Sequence, residues 1–115
     1  MSYKIFVVDI FKKELKKLAK KYKNIKEDYL LLLQTLSNDF SAINAQSLGN
    51  NCYKVRLKNS DNHKGKSAGY RVIYLKQEEN KTITLLSIYS KSDYENISEE
   101  LIDKKIVEAI HKEQL

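Results

Sequence analysis

Three strand-like segments follow one another in residues 52–89, and they restrict the fold more than any other feature of the 115-residue sequence. In residues 52–58 apolar and basic side chains alternate, which is typical of a strand with one buried face. Residues 69–76 and 82–89 are apolar enough for the interior of a sheet, and a turn sequence at 79–81 separates them. We therefore expect an antiparallel sheet.

One face of the first of these strands is cationic. The outward positions of that strand and the start of the next carry Lys54, Arg56, Lys58 and Arg71. No acidic residue occurs in residues 64–77. Because strands hold side chains at fixed positions, these cations suit an anionic partner such as a nucleic-acid backbone. The alternative interpretation is a solvated sheet face beside a basic loop.

The rest of the chain shows helical and extended patterns. Apolar residues at helical spacing predict two helices, 10–22 and 25–38, that form an N-terminal hairpin. We also expect a first strand at 3–8, an irregular segment at 41–51, a loop at 59–68 and a C-terminal helix capped by Ser98. This order predicts a single α+β domain, residues 1–115, in which helices pack on a small antiparallel sheet of about four strands.

Composition narrows the class of protein. The formal net charge is +6, from 21 Lys and Arg against 15 Asp and Glu, and this favours nucleic acid or an acidic protein as the partner. The single cysteine, Cys52, cannot form an internal disulfide and fits a reducing compartment. No apolar run is long enough for a membrane span, and no phosphate-loop or zinc motif is present. We therefore expect a cytoplasmic protein that uses no metal and no cofactor.

Two stretches carry a resemblance to a known family. KGKSAGYRVIYL (64–75) and LLSIYSKSDYENIS (85–98), combined with the order of the elements, resemble the RelE/ParE superfamily of bacterial toxins, in particular its HigB-like and RelE-like members. The resemblance implies a RelE-like fold and the toxin of a type II toxin–antitoxin system that cleaves mRNA on the ribosome. The alternative is a ParE-like gyrase inhibitor or a non-catalytic binding module, since the fold alone does not decide the function.

The resemblance also implies roles for individual residues. Arg71 matches the arginine that contacts the scissile phosphate in the RNases of the family. Lys54 and Arg56 match the paired basic residues on the preceding strand. Lys91 stands where RelE has an arginine, and it keeps the charge but lacks the bidentate fork. These residues are candidates for catalysis.

One catalytic position of RelE is not matched. Ile97 stands where RelE has a tyrosine near its C-terminus. The loop before Gly69 is longer than in RelE and, as in the HigB-like proteins, carries two further catalytic candidates, Lys64 and Lys66. Side chains that can bind phosphates or stack on bases complete the predicted site. They are Lys58, His63, Tyr70, Tyr89 and Tyr94.

Residues of this kind can cleave RNA without a metal. The 2′-hydroxyl attacks the adjacent phosphorus and the 5′-oxygen leaves, which gives a cyclic phosphate and a 5′-hydroxyl. A fixed guanidinium such as that of Arg71 stabilises the charge of the transition state. Two candidates for the base remain open: a lysine whose pKa the neighbouring cations lower, and His63, whose type titrates near neutral pH.

The resemblance implies partners as well. We expect a cognate antitoxin of the helix-turn-helix type, whose acidic segment folds as it wraps the hairpin and the sheet edge. The ribosome and its mRNA are the expected targets, and the toxin–antitoxin complex is expected to bind operator DNA. No membrane partner is expected.

Overall fold

The computed structural model describes residues 3–38, 45–61 and 69–113. Two helices follow the first strand, four strands come next, and a 3₁₀ helix precedes the last helix. The elements are β1 (Lys4–Val7), α1 (Asp9–Lys21), α2 (Ile25–Asn38), β2 (Gln46–Gly49), β3 (Cys52–Leu57), β4 (Tyr70–Gln77), β5 (Thr82–Ser90), the 3₁₀ helix (Lys91–Tyr94) and α3 (Glu99–Glu113). The order confirms an α+β fold in which helices pack on a sheet.

Within the described residues the sheet has five strands, in the order β1-β5-β4-β3-β2. The prediction of about four antiparallel strands was therefore wrong in two respects. β1 pairs with β5 in parallel, from Lys4↔Thr82 to Val7↔Leu85, so the sheet is mixed. The other correction is β2, which lies in the segment predicted to be irregular.

β2 was not predicted because its sequence has no apolar pattern and the strand is marked only by the turn that follows it. Its sequence is QSLG, and most of it is exposed. Asn50 and Asn51 both have positive φ, 52° and 62°, as a tight hairpin turn between antiparallel strands requires. The turn joins β2 to β3 and pairs Gln46 with Lys54. An edge strand can thus form where the sequence shows a strong turn and little hydrophobicity.

β1 covers only the first half of the edge of β5. Its last pair is Val7↔Leu85, and beyond this point a side chain of α1 takes the place of a neighbouring strand. The Glu14 carboxylate accepts hydrogen bonds from the Ile88 backbone N–H and the Ser87 hydroxyl, both at 3.3 Å. Burial raises the pKa of Glu14, and the two hydrogen bonds oppose that rise.

The sheet separates two hydrophobic cores. The larger lies under α1 and α2, where the two helices meet one face of β3, β4 and β5; its members include Phe11, Leu36, Val72, Tyr74 and Leu85. The smaller lies under α3 on the opposite face and contains Cys52, Ile73, Leu86, Tyr89 and Ile102. Each face of the sheet is therefore covered by a different part of the chain.

α3 begins as the sequence predicts. The Ser98 hydroxyl accepts a hydrogen bond from the Leu101 backbone N–H at 3.2 Å, and Glu99 and Glu100 stand in the first turn, where carboxylates favour the helix dipole. Residues 95–98 lead into the helix and are exposed. In the described parts of the chain no helix has both the length and the hydrophobicity to cross a membrane.

Candidate functional site

Three adjacent strands bring three of the predicted site residues into one row. Arg56 of β3 lies directly opposite Arg71 of β4, and Arg71 lies opposite Tyr89 of β5. Lys54 precedes Arg56 by two positions and so lies on the same face of the sheet. We call Lys54, Arg56 and Arg71 the cation cluster. Like charges directly opposite one another destabilise a sheet unless an anion lies between them.

The anions come from α3. The Glu99 carboxylate bridges two cations: one oxygen accepts from Lys54 Nζ, and the other accepts from Arg71 Nε at 3.0 Å. Asp103, one turn later, lies 2.5 Å from Lys54 Nζ and accepts a hydrogen bond of 2.8 Å from the Tyr89 hydroxyl. We call Glu99 and Asp103 the acidic pair. It neutralises the part of the cluster that α3 covers.

This covered part is deeply buried. Arg71 is 2% exposed, Lys54 5% and Asp103 4%, whereas Arg56 is exposed. Charges removed from water in this way are stable only with close partners, and removing one partner is strongly destabilising. The face predicted to be cationic and open is therefore neutralised over Lys54 and Arg71 and remains open at Arg56.

The buried network sets the protonation of its members. Burial raises the pKa of Glu99, but the hydrogen bond from Lys54 and the charge of Arg71 outweigh it, so the net pKa lies below its ordinary value. Burial raises the pKa of Tyr89, and the hydrogen bond to Asp103 raises it further. Tyr89 is therefore a neutral donor, and the carboxylate of Glu99 is charged at neutral pH.

Gly69 fixes the start of β4 beside the cluster. A Cβ at Gly69 would lie 2.3 Å from the Leu57 carbonyl oxygen, so the two strands approach too closely there for any side chain. The Gly69 carbonyl accepts hydrogen bonds from the Lys91 backbone N–H at 3.1 Å and from the Arg71 guanidinium at 3.3 Å. The glycine thus helps to orient Arg71.

The remaining described candidates lie around the cluster or away from it. Lys91 is half-buried, and its Nζ donates to the Tyr94 carbonyl at 3.2 Å. Tyr94 is 39% exposed, and its ring meets that of Tyr89 edge-on at 5.6 Å between centroids. Lys58 is exposed just beyond the end of β3. These side chains border the row from Arg56 to Tyr89.

Tyr70 is not part of this row. Its side chain is fully buried in the core under α1 and α2, on the opposite face of the sheet from Arg71. Its ring packs edge-on against Tyr22 at 5.7 Å. A base bound at the cation cluster therefore cannot stack on Tyr70. The candidates His63, Lys64 and Lys66 lie outside the described residues.

The acidic pair was missed by reasoning from sequence. Neither Glu99 nor Asp103 was predicted from the sequence to be part of the site. The sequence does hold a signal: Glu99, Asp103, Ile106 and Ile110 recur at the spacing of one helical face. Two carboxylates within an apolar stripe indicate that the helix buries them against cations.

A cleft of about 520 Å³ adjoins the cluster. It runs between α1 and the end of β5, and its lining includes Lys17, Lys21, Tyr89, Ser90 and Tyr94. Tyr89 thus belongs to both the cleft and the row of site residues. Within residues 3–38, 45–61 and 69–113, no three His, Cys, Asp or Glu side chains are grouped to hold a metal ion.

Solved structures of known proteins share this fold. The fold is similar to the toxin–antitoxin complex RelBE2 from Mycobacterium tuberculosis, with a TM-score of 0.58 and 16% identity over 78% of this chain and 99% of that chain. It is also similar to the isolated E. coli RelE toxin, with a TM-score of 0.51 and 21% identity over 95% and 99% of the two chains. At these identities the likeness establishes a shared fold.

The sequence itself matches one family. Comparison with individual curated proteins finds no significant match. The profile described as "RelE toxin of RelE / RelB toxin-antitoxin system" matches residues 4–114, nearly the whole chain. The chain therefore belongs to the RelE toxin family.

Proposed function

We propose that this chain is the toxin of a type II toxin–antitoxin system and that it cleaves mRNA on the ribosome. The supporting observation is the single carboxylate of Glu99, which bridges Lys54 and Arg71. Two cations that converge on one anion from neighbouring strands also suit a phosphate diester, because fixed donors stabilise developing charge without reorganising.

The proposed reaction uses the substrate's own 2′-hydroxyl. Its oxygen forms a bond to the adjacent phosphorus while the bond to the 5′-oxygen breaks, and the products are a 2′,3′-cyclic phosphate and a 5′-hydroxyl. Arg71 stabilises the phosphorane-like transition state. A base removes the proton of the 2′-hydroxyl, and an acid protonates the leaving 5′-oxygen. Lys54 and Lys91 are the described candidates for these two steps, whereas Arg56 stays protonated and stabilises charge on the phosphate.

The neighbouring cleft offers a route for the RNA strand. Lys17 and Tyr94 line it, so it offers one lysine for a phosphate and an aromatic ring for a base, beside the acidic Glu14 and an Asp93 that is paired with Lys21. Arg56 continues the positive surface on the other side of the row. We infer that the strand crosses β5, β4 and β3 along this line.

The proposal is tested in a translation extract that contains a defined mRNA. Purified wild-type protein is added, and cleavage sites are mapped by primer extension. Arg56→Ala and Arg71→Gln should each lower the cleavage rate by about a hundredfold, as for other groups that stabilise a transition state. The control is Lys26→Ala, an exposed lysine of α2. Circular dichroism verifies folding, and a folded Arg71→Gln protein that cleaves at the wild-type rate rules the site out.

The burial of Lys54 and Arg71 favours one alternative. A chain that only binds a partner, such as a gyrase inhibitor, has no need of an accessible phosphate site. The same proteins are therefore assayed for inhibition of DNA supercoiling by gyrase. Inhibition of supercoiling with intact mRNA in the extract would assign the chain to that alternative.

We also propose a cognate antitoxin, since the M. tuberculosis neighbour is a toxin–antitoxin complex, and we expect this antitoxin to be of the helix-turn-helix type. An apolar groove between β1 and α2 is a suitable surface, with Ile5, Val7, Leu30 and Leu33 in its lining. Leu30 in the lining is 49% exposed and Leu31, the next residue of α2, is 60% exposed, and such patches mark protein interfaces. Coexpression with the neighbouring reading frame should yield a stable complex that binds its operator DNA, and Leu31→Lys should weaken that complex.

A further inference from the structure

α3 occupies the position that an RNA phosphate would need. Glu99 and Asp103 contact Lys54, and Glu99 also contacts Arg71. We propose that α3 is an autoinhibitory cover, whose acidic pair competes with RNA for the cation cluster within the same chain. This inference rests on the proposed function, because it concerns the site to which that function assigns RNA.

The geometry makes the two occupants mutually exclusive. Arg71 is 2% exposed and Lys54 5%, so no solvent-sized space lies over either cation. A phosphate bound to the Arg71 guanidinium needs an oxygen within about 3 Å of it. The Glu99 carboxylate holds that position at 3.0 Å. RNA can therefore contact Arg71 only after the first turn of α3 has moved away.

α3 can move away from the sheet while the rest of the fold stays intact. The exposed segment 95–98 connects it to the 3₁₀ helix that follows β5. Ile102 is the one apolar side chain of α3 in the buried core beneath it; Ile106, Val107 and Ile110 pack there only partly buried. The larger core lies on the other face of the sheet and excludes α3. Elements with few buried apolar contacts open at lower free energy than the whole domain.

The closed state lowers the apparent affinity for RNA. If only a fraction of molecules has α3 released, the apparent affinity falls by that fraction. RNA binding then shifts the population toward the open state, because the RNA phosphates replace the acidic pair as the anions beside Lys54 and Arg71. Removing the two negative charges should have the same effect without RNA.

Two variants test the cover by independent routes. Glu99→Gln/Asp103→Asn keeps the shape of the acidic pair and removes its charge. Ile102→Ala weakens the apolar contact of α3 and leaves every charge in place. Binding is measured by fluorescence anisotropy with a short, 2′-deoxy-substituted RNA that cannot be cleaved. Both variants should bind at least about tenfold more tightly than the wild type, as a shift in the open population predicts.

The matched control is Glu100→Gln. Glu100 precedes Leu101 in the same turn and is exposed, so this variant removes one negative charge from α3 without touching the cluster. Its affinity should stay within about twofold of the wild type, because an exposed charge near the site contributes little at physiological salt. If Glu100→Gln gained as much affinity for RNA as the double variant, the gain would come from net charge, and the proposal that α3 is an autoinhibitory cover would be wrong.

The remaining outcomes separate the cover from the proposed function. If the double variant and Ile102→Ala are folded by circular dichroism and bind RNA no more tightly than the wild type, the cover is wrong. The autoinhibitory cover would then be wrong even if the wild type cleaves mRNA through Arg71. If both bind more tightly and no variant cleaves mRNA in the extract, the cover stands and the endonuclease proposal fails.

Discussion

Glu99 and Glu14 are two partly buried glutamates whose surroundings move their pKa in opposite directions. Burial acts to raise the pKa of both. For Glu99 the hydrogen bond from Lys54 and the charge of Arg71 reverse that effect. For Glu14 two hydrogen bonds, from Ile88 and Ser87, oppose burial without overcoming it. The two residues therefore contribute to stability in opposite pH ranges.

Glu99 should stabilise the fold at neutral pH. Its folded pKa lies below the ordinary value of 4.5, so its contribution is present above that value and is lost as the pH falls through the folded pKa. Glu99→Gln should therefore be less stable than the wild type at pH 7, and the difference should shrink at pH 3. Urea unfolding followed by circular dichroism measures both. A difference that is constant with pH would contradict the pairing with Lys54 and Arg71.

Glu14 should show the reverse dependence. Its folded pKa lies above 4.5, so its contribution is present below that value and is lost as the pH rises through the folded pKa. Gln at this position keeps an acceptor for the Ile88 backbone N–H and has no charge to bury. Glu14→Gln should be at least as stable as the wild type at pH 7, with a smaller gain at pH 4. Unfolding in urea at the two pH values checks this, and a less stable variant at pH 7 would contradict it.

At the scale of elements, the junction between β3 and β4 depends on one glycine. Gly69→Ala would place a methyl group 2.3 Å from the Leu57 carbonyl, and relieving such a clash costs about 1–3 kcal/mol. The shift should also displace the carbonyl that Arg71 contacts, so activity should fall together with stability. Denaturant unfolding and mRNA cleavage measure the two effects.

Gly49→Ala is the matched control for that junction. Gly49 has a φ of +88° and no atom within 4 Å of an added Cβ, so its substitution strains only the β2–β3 turn. It should lower stability and leave cleavage at the wild-type rate in the folded fraction. Equal losses of cleavage in both variants would show that Gly69 has no special relation to Arg71.

The elements also show what the sequence can and cannot predict. Alternation predicted β3 with the correct two faces, and Val55 and Leu57 do lie in the core. The apolar pattern of residues 82–89 predicted a central strand, and β5 pairs on both sides. β2 and the parallel pairing of β1 were missed, because a short polar edge strand has no pattern and a pairing of Lys4 with Thr82 spans most of the chain.

The cationic residues of the candidate site could be predicted from the sequence, whereas its acidic residues could not. Lys54, Arg56 and Arg71 could be placed on one face from alternation and from the family resemblance, and they are neighbours in the structure. Their burial depends on where α3 docks, which is a tertiary contact between residues such as Lys54 and Asp103, 49 positions apart. Local sequence patterns cannot determine a contact of that kind.

At the scale of the whole molecule, positive charge is divided between two faces of the sheet. Lys54 and Arg71 of the cation cluster lie under α3, whereas α1 covers the opposite face with exposed lysines. Lys12→Gln/Lys16→Gln/Lys20→Gln should weaken binding to ribosomes and reduce its salt dependence by up to about three counterions. Binding of the short RNA at the cluster should be unchanged. Sedimentation with ribosomes at several salt concentrations and fluorescence anisotropy provide the two measurements, and an equal loss in both would place one RNA surface across α1 and the cluster.

Cys52 is a natural reporter of the motion of α3 in the wild-type chain. It is the single cysteine of the sequence, it is 4% exposed, and it belongs to the core beneath α3. Burial raises the pKa of its thiol, so a thiol reagent reacts with it slowly while the core is closed. The rate of labelling therefore reports how often this core opens, and no engineered probe is needed. Added RNA should increase the labelling rate.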